Sequence, residues 1–167
     1  SAPPVPPEVL DLFCELAAIQ SPPGDERAVA DVVTRYMRDC GLTVDEDDAG
    51  ARVGSNMGNL YSRIEPTADG EALFLCAHLD TVPPTAAIEP VVEDGVVRNA
   101  AGTILGADNK SAVAAMLEGA RRVLAEGRPH AGIELLFTPK EEVGLNGAYA
   151  FDHTRLQART GYVYDQA

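Results

Sequence analysis

Basic residues are scarce in this sequence: 13 Lys and Arg stand against 26 Asp and Glu, for a formal net charge of −13. A chain this acidic is a poor candidate for binding nucleic acid or an anionic membrane, whose phosphates call for Lys and Arg, and neither partner is expected. The charge suits carboxylates gathered around a metal, although surface acidity alone would give the same number. Cysteine is scarce as well. Cys14, Cys40 and Cys76 are an odd count without close spacing, so they read as thiols of a reducing compartment and not as a disulfide framework. Long apolar runs are missing, and nothing approaches the roughly 20 residues of a membrane span. The opening "SAPPVPPEVL" lacks the basic region and apolar stretch of a signal peptide. A cytoplasmic location is the default expectation. There is no internal repeat, no low-complexity tract and no G-x-G-x-x-G loop after a strand, which argues against a simple nucleotide binder.

What is present is a globular composition, with 46% hydrophobic and 23% charged residues in 167, enough for one domain with a real core. Residues 1–7 are Pro-rich and read as extended. "PEVLDLFCELAAIQ" and "ERAVADVVTRYMRDCG" carry apolar residues at helical spacing, the first with a Pro in its first turn. "LTVDED" is a short strand candidate, and "GNLYSRIE" alternates as a half-buried strand does. Residues 72–77 within "EALFLCAHLD" are almost all apolar, as a central strand covered on both faces is, and "AGIELLFTP" reads as a second such strand. "EDGVVRN" suggests a small hairpin or edge element, "GYVYD" a third short strand. "NKSAVAAMLEGARRVLAEG", rich in Ala and Leu, predicts a helix ending near Gly127. Strands alternating with helices predict an α/β fold with a mostly parallel central sheet flanked by helices.

The chemistry-bearing residues leave these strands. "LFLCA" runs into His78 and Asp80, "IELLF" into Glu141 and Glu142, "YVY" into Asp165, and Asp108 opens the long helix. In open α/β sheets, functional groups collect at the carboxyl ends of strands. Taken singly, each residue has a bland reading: a core or loop histidine, a turn aspartate, a helix N-cap, a solvated pair of glutamates, an aspartate near a chain end. His130 and His153 read as surface residues. The joint pattern favours a metal site. Two residues apart on a strand, His78 and Asp80 would share a face, letting Asp80 hold one imidazole nitrogen and aim the other at an ion. Three carboxylates and an imidazole suit zinc, with manganese or cobalt as alternatives. Asp108 is the candidate bridge between two ions. Of the adjacent glutamates, one would bind metal, leaving the other close enough to a metal-bound water to take its proton.

"LFLCAHLDTVPP", "GTILGADNKSAVAAMLEGARRVL", "IELLFTPKEEVGLNGAYAFD" and "GYVYD" together resemble the co-catalytic zinc metallopeptidases of the peptidase T, carboxypeptidase G and aminoacylase family, most of all its peptidase T-like members. The resemblance runs from about residue 73 to 165. It implies that His78 and Asp165 complete one zinc site, with Asp80 orienting the histidine. It makes Asp108 the bridge, Glu142 a ligand of the second zinc, and Glu141 the general base. It implies a cis peptide bond at Asp108–Asn109, hydrolysis of amide bonds in small peptides or N-acyl amino acids, and a homodimer.

Three departures matter. Asn109 stands where many relatives have a second aspartate, with little loss expected from an isosteric amide. Lys140 stands where relatives often have an acidic residue. The family also supplies one further histidine ligand and a lid domain beyond the point matched by Asp165, in a chain roughly twice as long. The expectation is therefore that residues 1–167 form the N-terminal portion of a catalytic domain, with lid and C-terminal part absent, and that this piece holds one ion or none and is inactive. A di- or tripeptide aminopeptidase is the first reading of the complete enzyme. A carboxypeptidase, dipeptidase or N-acyl amino acid deacylase is the second, and a non-catalytic metal-binding interaction domain the third.

Overall fold

The computed structural model describes residues 7–165; the Pro-rich start expected to be extended falls largely outside them. Helix α1 (Pro7–Ala18) and helix α2 (Arg27–Asp39) form where the apolar spacing places them. In α2, Val29, Ala30, Val33 and Met37 make one buried stripe. Strand β1 (Asp45–Glu46) is followed by a short helix α3 (Ala49–Val53) that the sequence pattern did not suggest. Strands β2 (Leu60–Ile64) and β3 (Leu73–His78) come next. Strands β4 (Pro90–Glu93) and β5 (Val96–Asn99) are the expected hairpin, turned at Asp94 and Gly95, both at positive φ. Helix α4 (Ala107–Glu126), strand β6 (Ile133–Thr138), a short helix α5 (Asn146–Ala150), a 3-10 turn at His153–Arg155 and strand β7 (Thr160–Val163) complete the described chain.

Five strands form one sheet in the order β1-β2-β6-β3-β7. The parallel arrangement predicted from sequence holds for β6, β3 and β7, whereas β1 and β2 join antiparallel. Parallel neighbours need a long crossover. Helix α4 supplies one between β3 and β6, but only a short helix-free loop links β2 to β3, and β6 sits between them. The sheet is therefore mixed.

Alternation along the strands sorts the core into two layers. Leu60, Ile64, Ala77, Leu135 and Phe137 pack with α1, α2 and α4 residues such as Leu16, Val33, Val113 and Leu117. The opposite parity builds a smaller cluster of Tyr61, Cys76, Leu136 and Phe151. Strand β2, predicted half-buried, is buried on both faces except at Arg63, because β1 and β6 flank it and both layers cover it. Strand β3 departs the other way. Its carboxyl half is buried, but Leu73 is 37% exposed, and its outer neighbour β7 is exposed along its length. Cys14, Cys40 and Cys76 are free thiols. Among the described residues, no helix is long and apolar enough to cross a membrane.

Candidate metal centre

The carboxyl ends of the three parallel strands and the start of α4 converge on one edge of the sheet. His78 is the last residue of β3. Leu79 donates its N–H to the Thr138 carbonyl at 2.9 Å, and Thr81 donates to Ser21 at 3.0 Å, so the chain leaving β3 is pinned on both sides. The β6 exit carries Lys140, Glu141 and Glu142 through a tight turn in which Lys140 takes a left-handed φ of 55°. At α4, Asp108 and Asn109 depart from helical geometry, and the peptide bond between them is cis, as the resemblance implied. Asn109 Nδ2 donates to the Tyr164 carbonyl at 2.6 Å, and Tyr164 N–H donates to Cys76 at 3.0 Å. These two bonds hold the segment carrying Asp165 against β3 and α4. The amide of Asn109 thus supplies a donor that a carboxylate would lack.

His78 Nδ1 lies 2.8 Å from the Asp80 carbonyl oxygen and 3.4 Å from its carboxylate. The main-chain oxygen is therefore the nearer partner, where the sequence suggested the side chain; β3 ends at His78, so Asp80 is not on the strand that the shared-face argument assumed. With a proton on Nδ1, Nε2 offers its lone pair to the opposite side. There it faces Asp108 at 3.2 Å, Glu141 at 3.6 Å and Asp165 at 3.8 Å. The Asp80 carboxylate, fully buried, also serves the glutamates. Its Oδ1 accepts from Glu141 N–H at 2.8 Å and its Oδ2 from Glu142 N–H at 3.0 Å.

The electrostatics follow from this crowding. Burial pushes the Glu141 carboxyl up, His78 pulls it down, and Asp165, Asp80 and Asp108 push it up again, for a net rise. Burial and then the Asp108 charge raise Glu142. Burial works to raise Asp80, but the bonds from His78, Glu141 and Glu142 outweigh it, and its pKa falls. Carboxylates this close repel unless a cation joins them.

Two overlapping sets of donors could hold an ion: His78 with Asp108 and Asp165, and His78 with Glu141 and Glu142, each with ligand atoms within 4.8 Å of one another. A tetrahedral ion with bonds near 2 Å has donor–donor edges of about 3.3 Å. The 3.2 and 3.8 Å separations from Nε2 to Asp108 and Asp165 come close to that. Nitrogen and oxygen donors of this kind fit a borderline divalent ion. All six predicted site residues are thus gathered at one place. His130 is half-buried with its ring accepting from Gly132, and His153 is exposed; neither joins the cluster. Sequence reading missed Glu26, a buried carboxylate that accepts from the Lys140 N–H at 3.1 Å.

Known proteins share this fold. The aminopeptidase PepT of Bacillus cereus superposes with a TM-score of 0.90 at 37% identity, over 95% of this chain and 43% of that one. A tripeptidase of Staphylococcus aureus gives a TM-score of 0.90 at 34% identity, over 96% and 43%. The uncharacterized protein YqjE of Bacillus subtilis is 38% identical over 94% of this chain and 42% of its own length. The chain therefore spans less than half the length of these relatives. Residues 59–165, which carry every residue of the cluster, match Peptidase family M28, and the chain belongs to that family.

Proposed function

We propose that the whole protein is a metal-dependent hydrolase of peptide bonds in small peptides, an aminopeptidase like peptidase T. One observation carries this: carboxylate oxygens of Asp108, Glu141 and Asp165 all lie within 3.8 Å of His78 Nε2. In this reading His78, Asp108 and Asp165 would hold one zinc ion, and Asp108 and Glu142 would serve a second. Zinc bound there would polarise the scissile carbonyl and make water a nucleophile near neutral pH. Glu141, its pKa raised, takes the proton of the attacking water and hands it to the departing amine. Asp80 keeps His78 and both glutamates in place. The names of the two solved relatives, an aminopeptidase and a tripeptidase, support the substrate class.

The same reading makes residues 1–167 the N-terminal portion of a catalytic domain, holding one ion or none by itself and inactive alone. The free thiols favour a cytoplasmic home, and the peptidase T resemblance favours a homodimer. The test is an assay of the full-length protein, supplied with zinc, on free, N-acetylated and C-amidated tripeptides. Release of the N-terminal residue from the free and amidated peptides is expected, with the acetylated one resistant. Equal cleavage of the acetylated peptide would move the protein to the carboxypeptidase or deacylase reading. No cleavage of any peptide with metal bound would leave a binding domain.

A further inference from the structure

The geometry points to Glu26 as a positioning residue that, with Asp80, sets the Lys140–Glu142 turn. Three successive backbone N–H groups leave β6, and each ends on a buried carboxylate. Lys140 donates to Glu26 Oε1, Glu141 to Asp80 Oδ1, and Glu142 to Asp80 Oδ2. Consecutive amides pointing inward need acceptors, because an unpaired buried N–H is costly. Each Asp80 oxygen is already engaged by one of the other two amides. Glu26 serves the third, at the residue whose left-handed backbone starts the turn.

Glu26 is itself held rigidly. Its relative exposure is 0%. Its Oε1 also accepts from Gly24 N–H at 2.9 Å, and its Oε2 accepts from the Ser55 hydroxyl at 2.6 Å. Ser55 Oγ in turn accepts from Met57 N–H at 3.1 Å. The Lys140 side chain reaches the same segment, with Nζ donating to the Val53 carbonyl at 2.7 Å. Residue 140 is therefore anchored at both ends to the loops around residues 24–26 and 53–55, which supply no member of the metal cluster. A shift of that anchor turns Glu141 and Glu142 together. Glu26 belongs to neither donor set. It acts by fixing where the two carboxylates stand.

The kinetic part of the test rests on the peptide-hydrolase reading; the metal part does not. In the full-length protein loaded with zinc, Glu26→Ala should lower kcat about 10- to 100-fold, with KM within about twofold. Glu26→Gln keeps an oxygen for Lys140 and Gly24 and turns its amide to Ser55, so it should restore kcat to within about threefold of wild type. Val33→Ala, a cavity in α2 away from the site, controls for stability: its kcat should hold even where its Tm falls as far. Equal loss of kcat in Val33→Ala and Glu26→Ala, or a folded Glu26→Ala with wild-type kcat, would overturn the proposal. Should Glu26→Ala fail to fold, Glu26→Asp, one methylene short of Lys140, takes its place: reduced kcat supports the proposal and full kcat overturns it. If wild type cleaves no peptide, the functional reading fails and Glu26 is judged by zinc titration. An affinity about 10- to 100-fold weaker in Glu26→Ala and recovered in Glu26→Gln supports the positioning role; an unchanged affinity removes it.

Discussion

Asp80 Oδ1 accepts the backbone N–H of Glu141 at 2.8 Å, joining the loop after β3 to the turn after β6 across 61 residues. Its second oxygen takes the Glu142 N–H, and its carbonyl faces His78 Nδ1. One buried residue thus orients three members of the cluster. Asp80→Ala leaves two buried donors unpaired, each costing about 1–3 kcal/mol. Urea unfolding of the metal-free protein should show a loss of about 2–6 kcal/mol. Zinc affinity should fall about 10- to 100-fold. A variant with wild-type affinity would show that the ion does not depend on this scaffold.

The adjacent glutamates should separate by function. Glu141→Gln in the full-length protein should keep its metal and lose about 100- to 10,000-fold in kcat, the range for a missing general base. Glu142→Gln should lose metal first, with activity partly recovered at high zinc. Elemental analysis after gel filtration, beside peptide kinetics, reads both. Metal loss in Glu141→Gln together with retention in Glu142→Gln would exchange the two roles.

The cluster should make the metal-free protein sensitive to alkali. Burial works against a charged His78, but Asp80 and then Glu141 outweigh it, and the imidazole is pushed up to about 9 from 6.5. A base whose folded pKa is raised stabilises the fold fully below its unfolded pKa. That contribution is lost as pH rises through the folded value, here between about 6.5 and about 9. The full amount is on the order of 3 kcal/mol. The stability gap between wild type and His78→Gln, from urea midpoints without metal, should therefore shrink from about pH 6 to about pH 9.5. A constant or widening gap would contradict this. The same proton must leave before Nε2 can bind an ion, so zinc uptake at neutral pH should release protons and tighten as pH rises.

The parts of the site that were legible in the sequence share one property: they follow buried strands directly. "LFLCA" before His78 and "IELLF" before Glu141 announce both the strand and the place where it ends. Period and composition also placed α1, α2, α4 and the β4–β5 hairpin. Helix α3, five residues long, is too short to show a helical period. Glu26 was invisible for another reason. Its partner Lys140 lies 114 residues away, and the bond is to main chain, which leaves no side-chain pattern to read. Strand direction was only partly legible, since whether β2 runs with or against β6 depends on β6 inserting between β2 and β3.

Gly161 offers a test of how β7 delivers Asp165. In the parallel register Phe74 of β3 lies opposite Gly161 of β7, and a Cβ added at Gly161 would fall within the Phe74 ring. The ring occupies the space that the glycine leaves. Gly161→Ala must therefore move the ring or lift β7, an overpacking cost of about 1–3 kcal/mol. The strand has little to resist with: it is exposed at all four positions and lies at the sheet edge among the described residues. Lifting β7 carries Tyr164 and Asp165 away from Cys76, Asn109 and His78. Zinc affinity should drop in Gly161→Ala and return in Phe74→Leu/Gly161→Ala, where the smaller side chain makes room. Calorimetric zinc titration of the three proteins decides it. If Gly161→Ala lost stability but bound zinc as wild type does, Asp165 would not depend on the seating of β7.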